Sequence, residues 1–248
     1  MGRKKKMSLE IVHPQAAGID VGSKSHFVSI GQSAEDVREF GVYASDLLSL
    51  AQWLLSNEIK HVAMESTGNY WQNLYAELIS HGLEVILVNG KFTKQMKGKK
   101  TDVLDCIWIQ KLHSLGLLTG SFLPDENTAK LRAYSRQRKK LLEQAAQASL
   151  RMQKYLKLLN FRLDVVVKDV CGLTGMKIIK DIVENGNLDG QSLAQHRLYN
   201  CRKSEAEIAK ALQGNNKEEY LFGLRQDYET YHFFKEKVEE CEAQIANF

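Results

Sequence analysis

Residues 16–31 read AAGIDVGSKSHFVSIG, and this stretch decides the fold. Two largely apolar runs, residues 16–21 and 26–31, flank a short segment of glycine, serine and lysine. Apolar runs of this length that are bounded by turn residues predict two buried β-strands joined by a tight turn. The first run carries an acidic residue, Asp20, just before its last position, although it is otherwise apolar.

The residues after this hairpin alternate between strand and helix patterns. Residues 37–42 predict a third strand, so that the first three strands form an antiparallel meander. The pattern then predicts helix, strand, helix and strand, in that order, over residues 45–56, 61–65, 70–81 and 83–88. This order predicts an α/β RNase H-like domain, with helices packed against the sheet.

The rest of the chain is expected to be helical. Pro124 interrupts the chain, and residues 131–159 then repeat apolar residues at 3-4-3-4 spacing over four heptads, with Arg138 as the single polar member. This repeat predicts an all-α coiled-coil region that pairs either with a second chain or, as a hairpin, with the apolar stripe over residues 224–248. Two regions result, 1–123 and 124–248. Because the second stripe is still in phase at Phe248, we expect the chain to be cut in mid-helix.

Four carboxylates are candidates for chemistry. Asp20 and Glu65 end the first and fourth predicted strands, which are central neighbours in an RNase H-like sheet. Asp102 and Asp105 lie in the first turn of the next helix and share a face, because residues three apart do so. Clustered carboxylates suit Mg²⁺ or Mn²⁺, and paired ions of this kind act on phosphate. Each acid also has a structural interpretation, as a turn residue or as a partner of the positive helix end.

Positive charge is concentrated in one segment. Residues 91–140 hold 12 Lys/Arg and 4 Asp/Glu, a balance of +8 in a chain whose net charge is +4. Such a stripe is the electrostatic pattern of a polyphosphate-binding surface, although a solvated helix face and loop would have the same composition. The candidate nucleic-acid contacts are Lys94, Lys97, Lys99, Lys100, Arg132 and Arg136.

Composition excludes several classes of protein. Hydrophobic residues make up 44% and charged residues 26% of the 248 residues, which is typical of a globular protein rather than a disordered one. Apolar runs stay shorter than the roughly 18–20 residues that a membrane-spanning helix needs, so we expect no membrane partner. The four cysteines are scattered and form no CxxC pair. We therefore expect free thiols, a cytoplasmic location and no zinc site.

Three motifs resemble one family of enzymes. GIDVG at 18–22, MESTG at 64–68 and KTDVLD at 100–105 are similar to the DEDD transposases of the insertion-sequence 110 family. These are also called bridge-RNA-guided recombinases and are related to Piv-type DNA invertases. GLTGMKII at 172–179 and KSEAEIAKAL at 203–212 resemble the segments that precede the C-terminal domain of that family. The resemblance thus covers nearly the whole chain.

This resemblance implies a fold, a cofactor and partners. Its four acids match Asp20, Glu65, Asp102 and Asp105, which would hold Mg²⁺ in a RuvC-like domain. A coiled coil would assemble dimers, and a structured non-coding (bridge) RNA would pair with target and donor DNA. Strand cleavage would use a serine of a separate C-terminal domain, through a covalent phosphoserine link to DNA. This sequence has no serine in a matching motif, so we expect it to bind metal and nucleic acid without recombining DNA alone.

Two other functions stay open. Residues 18–24 could be the phosphate hairpin of a sugar-kinase or actin-like ATPase, but a second glycine-rich loop near an aspartate is missing from the sequence, and one such turn is a weak motif. Alternatively, the chain is a non-catalytic RNA- or DNA-binding and dimerisation module with vestigial acids. Metal binding at the four acids distinguishes the enzyme from that module.

Overall fold

The computed structural model describes residues 10–65, 68–90, 101–199 and 201–248. The chain divides into two compact units, Met1–Leu123 and Pro124–Phe248. The first is a mixed sheet flanked by helices, and the described part of the second is helical. The predicted fold class, an α/β RNase H-like domain followed by an all-α region, is confirmed.

A five-stranded sheet forms the centre of the first unit, in the order β3-β2-β1-β4-β5. β1 pairs antiparallel with β2 and parallel with β4, so β1 is the middle strand. The bounds are β1 Ala16–Val21, β2 His26–Ser29, β3 Val37–Phe40, β4 His61–Glu65 and β5 Glu84–Val88. The meander and the neighbouring first and fourth strands are as the sequence predicts.

Helices cover both faces of this sheet. The bounds are α1 Ala44–Ser56, α2 Trp71–Ser80 and α3 Asp102–Ser114. Ile19, Val21 and Val28 are buried in one cluster with the leucines of α1 and α2. α3 packs on the opposite face, across β1, β2 and β4. Successive strand residues point to opposite faces, so Asp20, next to Ile19, lies on the α3 side.

Gly18 is the point of closest approach between α3 and the sheet. A Cβ at this position would collide with the backbone nitrogen of Gln110 and lie 2.5 Å from the carbonyl oxygen of Cys106. Gln110 Nε2 also donates a hydrogen bond of 3.2 Å to the carbonyl oxygen of Ala16. Only glycine permits this approach, which fixes α3 above the middle of β1.

The second unit consists of two long helices and a group of short ones between them in the chain. Their bounds are α4 Glu126–Leu158, α5 Leu163–Val166, α6 Leu173–Asn185, α7 Gly190–Ala194, α8 Glu205–Ala211 and α9 Glu218–Ala246. A capping box of Ser204 and Glu207 starts α8, which ends at Ala211. None of the described helices, the 33-residue α4 included, is long and apolar enough to cross a membrane.

α4 and α9 pair with each other within one chain. Four heptad positions of α4 are buried in this hairpin, namely Leu141, Ala145, Ala148 and Met152. Leu131, the first position of the repeat, stays partly exposed, and the burial shifts from Tyr155 to Leu156 near the end of α4. Such a shift is expected of a straight helix, whose 3.6-residue turn drifts away from a 3.5-residue repeat. The pairing corresponds to the hairpin interpretation of the sequence.

The side chain of Asp181 connects the end of α6 with the segments on either side of α7 through hydrogen bonds. Asp181 accepts hydrogen bonds from the side-chain amides of Asn185 (2.7 Å) and Asn187 (2.6 Å). His196 Nε2 lies 2.9 Å from the same carboxylate. The Asn185 and His196 hydrogen bonds lower the pKa of Asp181 below its ordinary value. Folding therefore favours the charged form of this side chain.

Replacing Asp181 with alanine should destabilise the second unit in a pH-dependent manner. We expect Asp181→Ala to lower the free energy of unfolding by about 2 kcal/mol at pH 7, because hydrogen bonds to a charged group are lost. A carboxyl with a lowered folded pKa stabilises above its unfolded pKa of about 3.9 and loses this effect as pH falls through the folded pKa. The difference from wild type should therefore shrink below about pH 4 in urea unfolding followed by circular dichroism.

Glu184→Ala is the matched control on the same helix. Glu184 forms an exposed pair with Lys180 at 3.8 Å, so its loss should change the unfolding free energy by less than about 0.5 kcal/mol. An effect of Asp181→Ala that stays constant down to pH 2 would contradict the proposed role of the carboxylate.

Candidate metal centre

Asp20 and Glu65 lie side by side at the ends of two parallel strands. Ile19 pairs in register with Met64, and each acid is the next residue along its strand. Neighbouring strands are about 4.8 Å apart, so the two backbones are adjacent at this point. Gly18 pairs with Ala63, two residues before each acid, so both acids lie on the face that α3 covers.

The end of β5 leaves room for the Glu65 side chain. Glu65 pairs with Val88, and the chain then passes Gly90. A Cβ at Gly90 would lie 2.9 Å from the carboxyl carbon of Glu65. Because Gly90 has no side chain, the Glu65 carboxylate has the space to occupy this position.

α3 brings the other two candidate acids toward this edge. Thr101 caps the helix, since its Oγ1 accepts a hydrogen bond of 3.3 Å from the backbone nitrogen of Leu104. Asp102 and Asp105 occupy the first turn, where Asp102 is exposed and Asp105 is half-buried. Acidic residues in a first turn also interact favourably with the helix dipole.

The pKa of the Cys106 thiol indicates that Asp20 lies close to the first turn of α3. Burial, and to a smaller extent the negative charges of Asp20 and Asp105, raise the pKa of Cys106 to about 12. Sγ donates a hydrogen bond of 3.1 Å to the carbonyl oxygen of Val103. The thiol is thus protonated and buried at neutral pH.

The structure brings the four acids to one side of the sheet without closing them into a compact group. Asp20 and Glu65 are neighbours, and Asp20 and Asp105 both act on the same thiol. Among the described residues, which include all four acids, no three His, Cys, Asp or Glu side chains are close enough to hold a metal ion together. The donor chemistry nevertheless fits a hard cation, because every candidate ligand is a carboxylate oxygen. The four-ligand set stays a prediction.

The candidate nucleic-acid contacts fall into two groups. Lys94, Lys97, Lys99 and Lys100 lie outside the described residues. Arg132 and Arg136 are exposed on α4, and neither forms an ion pair with a described residue. Arg138 of the same basic run differs, because its Nε donates to Glu242 Oε1 at 2.8 Å. The charge of Arg138 is therefore paired with Glu242 within the α4–α9 hairpin.

A histidine cluster lies at the opposite end of the sheet, and sequence reasoning missed it. The ring of His13 lies 4.7 Å from that of His61 and 5.0 Å from that of His113, measured between centroids. Burial, and then the charges of the other two rings, lower the pKa of His113 to about 4. No sequence spacing signals this cluster, because the start of β4, the end of α3 and the segment before β1 are far apart in the chain.

A known protein family matches most of the first unit and the start of the second. The model of a transposase family, the DEDD transposases of insertion sequence 110, matches residues 17–161. The matched region is more than half of the chain and runs from β1 through α4, so it contains all four acids. No curated protein matches the chain.

Proposed function

Because the chain belongs to the DEDD transposase family of insertion sequence 110, we propose that it is the N-terminal part of a DNA transposase that binds Mg²⁺ or Mn²⁺. The proposed ligands are Asp20, Glu65, Asp102 and Asp105. The reaction would be cleavage and rejoining of DNA strands.

The adjacency of Asp20 and Glu65 carries this proposal. Two carboxylates at neighbouring strand ends offer oxygen ligands from both sides of one point, and hard divalent cations prefer such ligands. A bound divalent ion supplies electrostatic stabilisation of charge that develops on phosphate oxygens. Two neighbouring residues shape the surroundings of the proposed ligands. Gly90 leaves room for the Glu65 carboxylate, and the neutral thiol of Cys106 lies close to Asp20.

The family also supports finer proposals about partners. We propose that residues 1–123 form the metal-binding domain and that residues 124–248 assemble dimers or higher oligomers. The chain would act on DNA under the guidance of a structured non-coding RNA. Exposed cations on α4, including Arg132 and Arg136, support nucleic-acid binding by this half. The match to a transposase family supports this proposal over the ATPase interpretation of residues 18–24.

A non-catalytic binding module is the second candidate function. One observation favours it: the four acids are described in the structure and do not form a compact cluster. In that case the acids would be structural, and nucleic acid would bind equally well with and without divalent metal. Metal binding therefore separates the two candidates.

The test is a calorimetric Mn²⁺ titration in the presence of a short DNA duplex, because phosphates often complete such sites. We expect saturable binding that Glu65→Gln weakens about 10- to 100-fold or more, since losing even an outer-shell contact of a metal site costs that much. Glu39→Gln is the matched control, because Glu39 is exposed on β3 at the edge of the same sheet. Equal Mn²⁺ affinity of the two folded variants would overturn the proposed metal site.

A further inference from the structure

A cleft in the second unit lies outside the candidate metal centre. Its volume is about 610 Å³, and it is bounded by the segment after α5, the start of α6 and the segment before α8. Three cationic side chains line it, Lys168, Arg202 and Lys203, against one acidic side chain, Asp169. Residues 151–248 contain 15 basic and 15 acidic residues, so this excess of positive charge is local.

Two of these cations have no carboxylate partner in the described part of the chain. Lys168 and Arg202 are exposed, and neither forms an ion pair with a described residue. The Nζ of Lys203 lies 2.9 Å from Glu207, whose carboxylate also accepts a hydrogen bond of 3.0 Å from the Ser204 backbone. Lys168 and Arg202 are therefore the charges available to a ligand.

The walls of the cleft are apolar as well as cationic. Val165 is 59% exposed and Leu173 is 71% exposed, although both are aliphatic. A nucleic-acid backbone presents charged phosphates that alternate with sugars, which have less polar faces. A surface that combines guanidinium and ammonium groups with aliphatic side chains can contact both parts of that repeat.

Hydrogen bonds hold this surface in place. Arg197 donates from Nε to the carbonyl oxygen of Lys203 at 2.6 Å and from Nη2 to that of Cys201 at 2.7 Å. The backbone nitrogen of Leu198 donates to Thr174 Oγ1 at 3.3 Å, and Thr174 also lines the cleft. The backbone of the segment that bears Arg202 is thus tied to the start of α6 before any ligand binds.

We propose that this cleft binds the phosphate backbone of a nucleic acid, as a contact surface separate from the four acids. The proposal rests on the proposed function only in taking DNA or RNA as the ligand, and it needs no metal. The shared chemistry is the phosphodiester, which DNA and RNA both supply. The experiment therefore uses both.

The test is fluorescence anisotropy with labelled 20-mer DNA and RNA duplexes in EDTA, over a series of salt concentrations. We expect Lys168→Gln/Arg202→Gln to weaken binding about tenfold and to lower the salt slope by about 2, roughly one per lost phosphate contact. A loss confined to RNA would assign the cleft to a guide strand, and a loss confined to DNA would assign it to the substrate.

The control is Lys177→Gln/Lys210→Gln, which removes the same charge from exposed positions on α6 and α8 that do not line the cleft. Equal salt slopes for the two double variants would overturn the proposal, because a general loss of charge would then explain both. Since EDTA removes metal, the result is independent of the Mn²⁺ titration, and either proposal can fail alone.

Discussion

Gly18→Ala is expected to lower the free energy of unfolding of the first unit by about 3 kcal/mol or more, at the upper end of overpacking effects. The new Cβ would meet backbone atoms of Gln110 and Cys106, which cannot rotate away as a side-chain end can. α3 would have to move off β1, and Asp102 and Asp105 would move with it. The same variant should therefore also bind Mn²⁺ more weakly.

Tryptophan fluorescence in urea measures this effect selectively. The three tryptophans, Trp53, Trp71 and Trp108, all lie in the first unit. Gly120→Ala is the control, since a Cβ there would meet only the Ile86 side chain, at 3.3 Å, and should change stability by less than about 0.5 kcal/mol. Similar unfolding midpoints for the two variants would show that α3 tolerates a larger separation from the sheet.

Arg151→Met should destabilise the helical hairpin by about 2 kcal/mol. Arg151 Nε lies 2.7 Å from Asp227 Oδ1, and Asp227 is 8% exposed. Removing one partner of a fully buried pair costs about 3–5 kcal/mol, and the half-exposed guanidinium reduces this figure. The measurement is urea unfolding followed by circular dichroism at a helical wavelength.

A second arginine of the same hairpin provides the control. The Arg138–Glu242 pair is more exposed, so Arg138→Met should cost less than about 1 kcal/mol. The double variant Arg151→Met/Asp227→Leu should recover most of the loss, because it removes the uncompensated carboxylate as well. If the double variant were less stable than Arg151→Met, packing rather than charge would explain the effect.

The sequence predicted the sheet well because its signals are local. β1 and β4 have the predicted bounds, since each is an apolar run with an acid at its last or second-to-last position. α2 ends at Ser80, one residue earlier than predicted, and Gly82 then adopts a φ of +80°, which glycine tolerates. The predicted neighbours Asp20 and Glu65 follow from the register of those two strands.

Features formed by distant residues could not be predicted in the same way. The collision distance at Gly18 depends on Gln110, more than 90 residues away, and the histidine cluster joins three separate segments. The heptad repeat left the partner of α4 undecided, because its spacing suits a second chain and a hairpin equally. The cationic cleft arises from loops that lack any periodic pattern.

The pairing of α4 with α9 has a consequence for the order of events on the ribosome. Arg138 and Glu242 are 104 positions apart, a distance that synthesis covers in about 5–20 s at ordinary rates. The first unit has been made by then and can fold. α4, in contrast, emerges with its apolar seam lacking an intramolecular partner. For those seconds the apolar face of α4 is accessible to a nascent neighbour or a chaperone.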